Sequence, residues 1–394
     1  MQRLTRLLLL WLVVTPAMGG EWSGYVSGEV RLFPNSPAYP DQRGDNLSFS
    51  FEPQYYNEWD NGKQSFTFTP FLRFDQRDDE RTHFDIRELT WLKAATDWEL
   101  RVGVRKVFWG VTESRHLVDI INQTDLVENI DREEKLGQPM INLALIRDFG
   151  TIDLFLLPYF RERTFPGKNG RLRIPIPVDK DLVQYESGAR ERHVDSAIRW
   201  SNSIDIWDIG LSWFHGTSRD PLLIPVLDKR GTLKLAPRYD IIDQVGLDVQ
   251  ATQGSWLWKL EMIRRGGQGK SFTAFTGGFE YTFYGIQDSS ADLGVLLEYL
   301  YDSRDDAAPT PFEDDVFAGM RLALNDAQST EVLAGFIIDR NDGGATFNLE
   351  ASRRLSDNWK LEVEARFFNG YERTDPAYTF RKDDYVEVKL SYHF

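Results

Sequence analysis

From Glu21 to the last residue, the chain is a succession of stretches in which apolar and polar side chains alternate one by one. NLSFSFEPQYY puts Leu47, Phe49, Phe51 and Tyr55 on one face. SFTFTPFLRFD sets Phe66, Phe68, Leu72 and Phe74 against Thr67, Thr69, Arg73 and Asp75. The same pattern recurs in DWELRVGVR, SWLWKLEM and NWKLEVEARF. Side chains of a β-strand point to opposite faces in turn, so each stretch predicts a two-faced strand. Alternation breaks between Ile86 and Leu89, which predicts a bulge within 84–93. Short links at 58–63, 95–97, 149–150, 202–203, 253–254, 286–290, 325–328 and 356–358 alternate with mostly longer ones at 34–45, 76–82, 108–139, 163–193, 217–237, 266–270, 304–312, 340–343 and 372–382. Eight short turns and nine longer loops make eighteen strands, with sixteen as the alternative count. Short turns alternating with longer outer loops are the signature of an up-and-down antiparallel barrel in an outer membrane, and an even count leaves both termini on the same side.

The ends of the chain agree with that reading. MQRLTRLLLLWLVVTPAMGG has basic residues at Arg3 and Arg6, an apolar run from Leu7 to Val14, and small residues Ala17 and Gly19 before a cleavage point. This is the pattern of a secretory signal peptide, residues 1–19, followed by a barrel over 20–394. The other end, DYVEVKLSYHF, sets Val386, Val388, Leu390, Tyr392 and Phe394 against Glu387, Lys389, Ser391 and His393. A terminal amphipathic strand closing on an aromatic residue resembles the assembly signal of Gram-negative outer-membrane barrels. The resemblance implies Tyr392 and Phe394 as contacts of the barrel-assembly machinery.

Composition changes the picture in four respects. The chain has no cysteine, which excludes disulfides and a lipoprotein anchor. The mean hydropathy of −0.42 looks soluble, yet a barrel shows only every second strand residue to lipid. Aromatic residues make up 13% of the chain, enough for belts at two membrane interfaces. The formal charge of −15, reaching −17 once Arg3 and Arg6 leave with the signal peptide, excludes nucleic acid as a partner. Expected partners are membrane lipid and lipopolysaccharide, with divalent ions between acidic loops and phosphates.

One stretch does not alternate: VFWGVTESRHLVDIINQTDLVENIDREEKLGQP, Val107–Pro139. Leu117, Ile120 and Ile121, then Leu126, Val127 and Ile130, have local helical spacing, and Thr124 is placed to cap a second short turn. The entry LRVGVRKVFWG followed by HLVDIINQTD resembles an uncharacterised family of outer-membrane barrels that read approximately G-R-Q before W-G and then D-x-x-N-x-x-D. The alginate-export channels, with eighteen strands, look like distant relatives. Here Lys106 stands in place of the pattern's Gln, and Asn122-Gln123 in place of Asn-Pro. The resemblance implies passage of small or polymeric solutes. In porins the third loop folds inward and narrows the pore. By that reading Glu113, Arg115, His116, Asp119, Asn122 and Asp125 line a constriction; the alternative is a lid outside the barrel.

With apolar faces outward, Arg73, Glu99, Arg101, Arg105, Arg199, Lys259 and Arg366 line the inner wall, along with Arg321, Glu261, Glu298, Glu350, Glu362 and Glu364. Arg101 and Arg105 adjoin the long stretch and are the expected basic wall facing its carboxylates. The fourth loop is basic, with eight Lys or Arg against five Asp or Glu over 161–193, and its RIPIPVD centre reads as extended. That suits either steering of anionic solutes or contact with lipopolysaccharide phosphate. Ser114, His116 and Asn122 are close in sequence, but nothing in a loop of this kind holds a nucleophile against its base. The five histidines are scattered without a metal-ligand spacing, and no cofactor is expected. The favoured function is a passive channel for small polar or charged solutes. The alternatives are the outer-membrane end of an export or lipid-handling system, closed until an inner-membrane or periplasmic partner docks, and a barrel hydrolase.

Overall fold

The computed structural model of this chain describes residues 19–394, so all but the last residue of the expected signal peptide lies outside it. The strands in order are β1 (Glu21–Leu32), β2 (Asn46–Trp59), β3 (Gln64–Asp75), β4 (His83–Ala94), β5 (Trp98–Arg105), β6 (Gln138–Arg147), β7 (Gly150–Leu157), β8 (Gln184–Tyr185), β9 (Asp195–Ile204), β10 (Trp207–Thr217), β11 (Leu222–Leu227), β12 (Leu233–Tyr239), β13 (Ile241–Gln253) and β14 (Trp256–Gly266). They continue with β15 (Phe272–Phe283), β16 (Asp292–Asp302), β17 (Asp314–Ala323), β18 (Glu331–Asp339), β19 (Ala345–Arg354), β20 (Trp359–Asn369) and β21 (Tyr385–His393). No α-helix occurs among the described residues.

Eighteen strands form one antiparallel sheet. It closes because β1 pairs with β2 on one side and with β21 on the other, Val30 lying opposite Leu47 and Val388. The barrel sheet therefore has no open edge. The sheet is inside out compared with a soluble protein. On β2, Phe49 is 53% exposed while its neighbours Ser48 and Ser50 are 1% and 3% exposed. The apolar face points outward on β1, β10, β14 and β21 as well (Val26, Leu211, Met262, Leu390), and the polar face is buried inside. A closed barrel with an apolar exterior satisfies every backbone group internally, which is how β-structure crosses a bilayer. Trp22, Trp59, Trp207, Trp256, Trp359 and Tyr392 sit exposed at the short-turn ends of their strands, as an interfacial aromatic belt requires.

The strand count, the long-loop order and the bulge match the sequence pattern, with two local differences. The expected turn at 202–203 falls two to three residues later, because Asn202 and Ser203 still pair with Ile209 and Asp208 and the left-handed conformation is taken by Asp205 (φ 54°). The bulge is at Arg87: Thr69 faces Glu88 and Pro70 faces Ile86, so Arg87 has no partner. Pro70 has no N–H to offer the ladder, which suits it to this irregular position. The other difference is that the expected loops 163–193 and 217–237 contain β8 and the β11–β12 hairpin, joined as a three-stranded sheet apart from the barrel.

Gly103 marks a point where the barrel tolerates no side chain. Its φ is 140°, and a Cβ there would lie 1.9 Å from the Leu89 carbonyl oxygen on β4. Gly103→Ala is expected to block closure between β4 and β5. The folded, heat-modifiable band on a gel should fall at least tenfold; wild-type yield of that band would refute this account.

Candidate functional site

The long stretch leaves β5 after Arg105 and rejoins at Gln138. The helical turn expected from Leu117–Ile121 does not form, and after Thr124 there is a single turn in which the Glu128 N–H donates to the Asp125 carbonyl. Instead the segment is folded back on itself. Asn122, 1% exposed, accepts from the Val107 amide (2.9 Å) and donates to the carbonyls of Arg105 (2.9 Å) and Leu136 (2.8 Å). Beyond this neck, Leu136 N–H donates to the Gln123 carbonyl and Asp125 N–H to the Glu134 carbonyl. Of the apolar residues expected on a helix face, Leu117, Ile120 and Ile121 pack with Val118 and Trp109 against inward apolar positions of the wall, among them Phe214 and Ile263.

The reason the segment forgoes a helix is visible in its amides. Glu261 on β14 accepts from the N–H groups of Val111 (2.8 Å), Thr112 (3.1 Å) and Val118 (3.1 Å), and from the Thr112 hydroxyl (2.8 Å). Glu298 on β16 accepts from the N–H groups of Glu113 and Ser114 (both 2.8 Å) and from the Ser114 hydroxyl (2.6 Å). A carboxylate receiving several backbone donors is a charge-assisted competitor to the helical ladder. Farther along, the segment's own carboxylates take arginines from other strands. Asp125 is 2.9 Å from Arg87 on β4, Glu128 2.6 Å from Arg73 on β3, and Asp131 2.8 Å from Arg366 on β20. Around the ring, β4 is the fourth strand and β16 the thirteenth, so half the barrel separates them. Segment 106–137 is therefore tied to opposite walls.

The other expected site residues fall as follows. Glu113 pairs with Arg321 and lies 3.7 Å from Lys259. Arg115 donates to the Phe312 carbonyl and sits over the Phe312 ring. Asp119 pairs with Lys135 (2.9 Å) within the segment. Arg199 is bidentate to Asp248. Arg101 pairs with Glu99, and Arg105 donates to Asn142, so neither faces the segment's carboxylates as expected. They are engaged by their own wall, and the basic wall is supplied by Arg73, Arg87 and Arg366 instead. Tyr392 and Phe394 are exposed and packed on Trp359 and Phe51. Ser114 and His116 direct their polar atoms to glutamates rather than to each other.

Sequence reasoning missed Glu128 and Asp220. Glu128 joins Arg73, Glu29 and Arg81 in a buried network. Asp220 gathers Arg163 (2.8 Å), Arg265 (3.0 Å) and Arg132 (3.5 Å), residues 57, 45 and 88 positions away. No local signal announces such a group. Burial opposes the Asp220 charge, but these three arginines hold its carboxyl well below the usual carboxylate range. His116 shows the same competition. Burial disfavours its cation, yet hydrogen bonds and charges from Glu133 (3.2 Å) and Glu261 (3.5 Å) outweigh it and push its pKa up to about 10. Glu133, Arg132, Glu350 and Arg321 keep a third to a half of their side-chain surface open.

The fourth loop is tied down rather than free. Arg171 pairs with Asp383 (2.6 Å), Arg173 donates to the Pro40 carbonyl (2.7 Å), and the Gly167 amide donates to Asp78 (3.0 Å). Three of the loops it meets lie between β1 and β2, β3 and β4, and β20 and β21. Arg171 and Arg173 are thus structural staples. His83, Asp125 and Glu128 place ligand atoms within 4.8 Å of one another. Arg87 and Arg73 already neutralise those carboxylates, so a metal ion there would meet guanidinium charge.

No family model and no curated protein matches this chain. Solved structures that resemble it include a triple mutant of the Rh. blastica porin, 12% identical, covering 95% of this chain and 100% of that one at a TM-score of 0.46. A second mutant of the same porin is 13% identical with the same coverage and TM-score. Neither is close enough to carry a residue's role across.

Glu261→Gln keeps the shape but removes the charge and turns one acceptor into a donor. The amides of Val111, Thr112 and Val118 should then exchange hydrogen about a hundredfold faster, equivalent to ~3 kcal/mol, in a barrel that still folds. Unchanged protection would show that Glu261 does not hold the segment. His116, with its pKa raised, stabilises fully below about pH 6.5, and that contribution drains away as pH rises towards 10. Wild-type stability should fall over this range, by up to about 1.4 kcal/mol per pH unit, more steeply than that of His116→Gln. Parallel curves in denaturant titrations would contradict it.

Proposed function

We propose that this protein is a channel of a Gram-negative outer membrane, passing small polar or charged solutes, with its lumen narrowed by segment 106–137. The observation that carries this reading is the attachment of the segment to inward side chains on opposite walls of the barrel. An eighteen-strand barrel is wide enough to hold water, and a segment anchored to both sides divides that space. The remaining passage would run past Glu113, Arg321, Glu133, Arg132 and Glu350, charges of both signs that select by local field and hydrogen bonding. The mixture gives no preference for one sign of solute. Tyr392 and Phe394 are proposed as the contact for barrel assembly, and the exposed loops as the face towards lipopolysaccharide. Ser114 gives its hydroxyl to Glu298, whose carboxylate also holds two backbone amides, an anchoring contact that supports transport without chemistry at the segment.

A second reading is favoured by the fourth loop. Its bonds to loops on the far side of the mouth suit a barrel that is closed at its long-loop end and opens when an export or lipid-handling partner docks.

Planar-bilayer recording separates the two. A channel gives steady conductance in the wild type, and deleting 112–136 raises it severalfold. A closed export barrel is silent in the wild type and conducts after the deletion. Silence of both proteins would overturn the channel function.

A further inference from the structure

A second group of acids lies at the long-loop end of the barrel, away from segment 106–137. Glu313 ends the loop before β17, Asp339 ends β18, and Asp375 lies in the last loop. One ligand atom from each lies within 4.8 Å of the others. Glu313 and Asp339 are buried, and Asp375 is half-buried. Asp315 joins them. It is directly opposite Asp339 in the β17–β18 ladder, so both side chains are on the same face. Asp315 is 0% exposed, and neither of its carboxylate oxygens has a hydrogen-bond partner. The charges that act most strongly on Asp315 are those of Asp339, Glu313 and Asp375.

This differs in kind from four other acids of the barrel. Glu29, Asp125, Glu128 and Asp131 each face an arginine. Asp315 instead faces Asp339, Glu313 and Asp375. Asp339 spends one oxygen on the amides of Asn341 and Asp342, and Asp375 one on the amide of Ala377, which fixes the direction of both carboxylates. Burial first, then the neighbouring Asp342 and Asp339, push the Asp375 carboxyl up to about 6. Carboxylates brought together in a buried place repel one another strongly.

We propose that Glu313, Asp315, Asp339 and Asp375 bind one calcium ion. All the donors are hard oxygens, there is no nitrogen or sulfur ligand, and carboxylates within this spread can share an ion at 2.3–2.6 Å. The ion would tie the loop before β17, the end of β18 and the last loop to one point. It would hold the rim of the barrel much as the arginines hold its interior. The proposal rests on these carboxylates alone and stands apart from what crosses the lumen.

The test uses the full chain folded in detergent, stripped with EDTA and titrated with calcium chloride. Calorimetry should show one ion bound per chain, and the Tm should rise by about 5 °C at saturation. Asp315→Asn and Asp375→Asn should each weaken binding at least tenfold. In EDTA both variants should be more stable than the wild type, since each removes one of the mutually repelling charges. That reversal of sign distinguishes a lost ligand from general damage, and the heat-modifiable band reports that each variant has folded. Asp125→Asn, in the arginine-paired group, should bind calcium as the wild type does. No calcium-dependent shift in the wild type, or an equal shift in Asp315→Asn and Asp375→Asn, overturns the site.

Discussion

Glu261 and Glu298, two carboxylates on the inner wall accepting backbone amides from a loop, are the interaction on which the interior of this barrel depends. A barrel with an apolar exterior must turn its polar residues inward, and a buried charge without a partner is costly. A loop also has amides without partners whenever it leaves regular structure. Here each solves the other's problem. The same exchange explains why a segment with helical spacing is not a helix: its amides are worth more to the wall than to one another.

The two halves of the segment use opposite chemistry. Residues 111–118 offer donors to acids on β14 and β16, whereas Asp125, Glu128 and Asp131 offer acids to arginines on β4, β3 and β20. Because those strands lie on different sides of the ring, the segment cannot slide towards one wall without breaking bonds at the other. Apolar packing of Val118 and Ile121 against the wall adds roughly 1.5–3 kcal/mol per side chain to this hold. The fourth loop repeats the principle at the mouth, where its arginines reach Asp383 and Pro40. Half of what looked from composition like a basic surface, Arg161, Arg163, Arg171 and Arg173, is internal scaffolding.

Set beside these paired charges, the acids around Asp315 are the exception. The interior has many guanidinium groups, but they are spent on the segment and its wall. Asp315, buried at the rim, is left facing other carboxylates.

The alternation of apolar and polar residues was enough to read the barrel, its eighteen strands and the bulge near Arg87, because strand faces depend only on residue parity and on the contrast between lipid and water. The same parity placed Arg73, Glu261 and Arg366 on the inner wall. Parity says nothing about which inward residues meet. That Arg101 turns to Glu99 rather than to the long loop, that Glu128 belongs with Arg73, and that Asp220 gathers three arginines follow from the curvature of the closed sheet and the path of the loops across it. The helical spacing of Leu117–Ile121 misled for the same reason, since the local pattern carries no record of Glu261 more than a hundred residues away. Sequence alone determined the shell and the orientation of its faces; only the closed structure decided how its charges pair, because those pairings are contacts between residues distant in the chain.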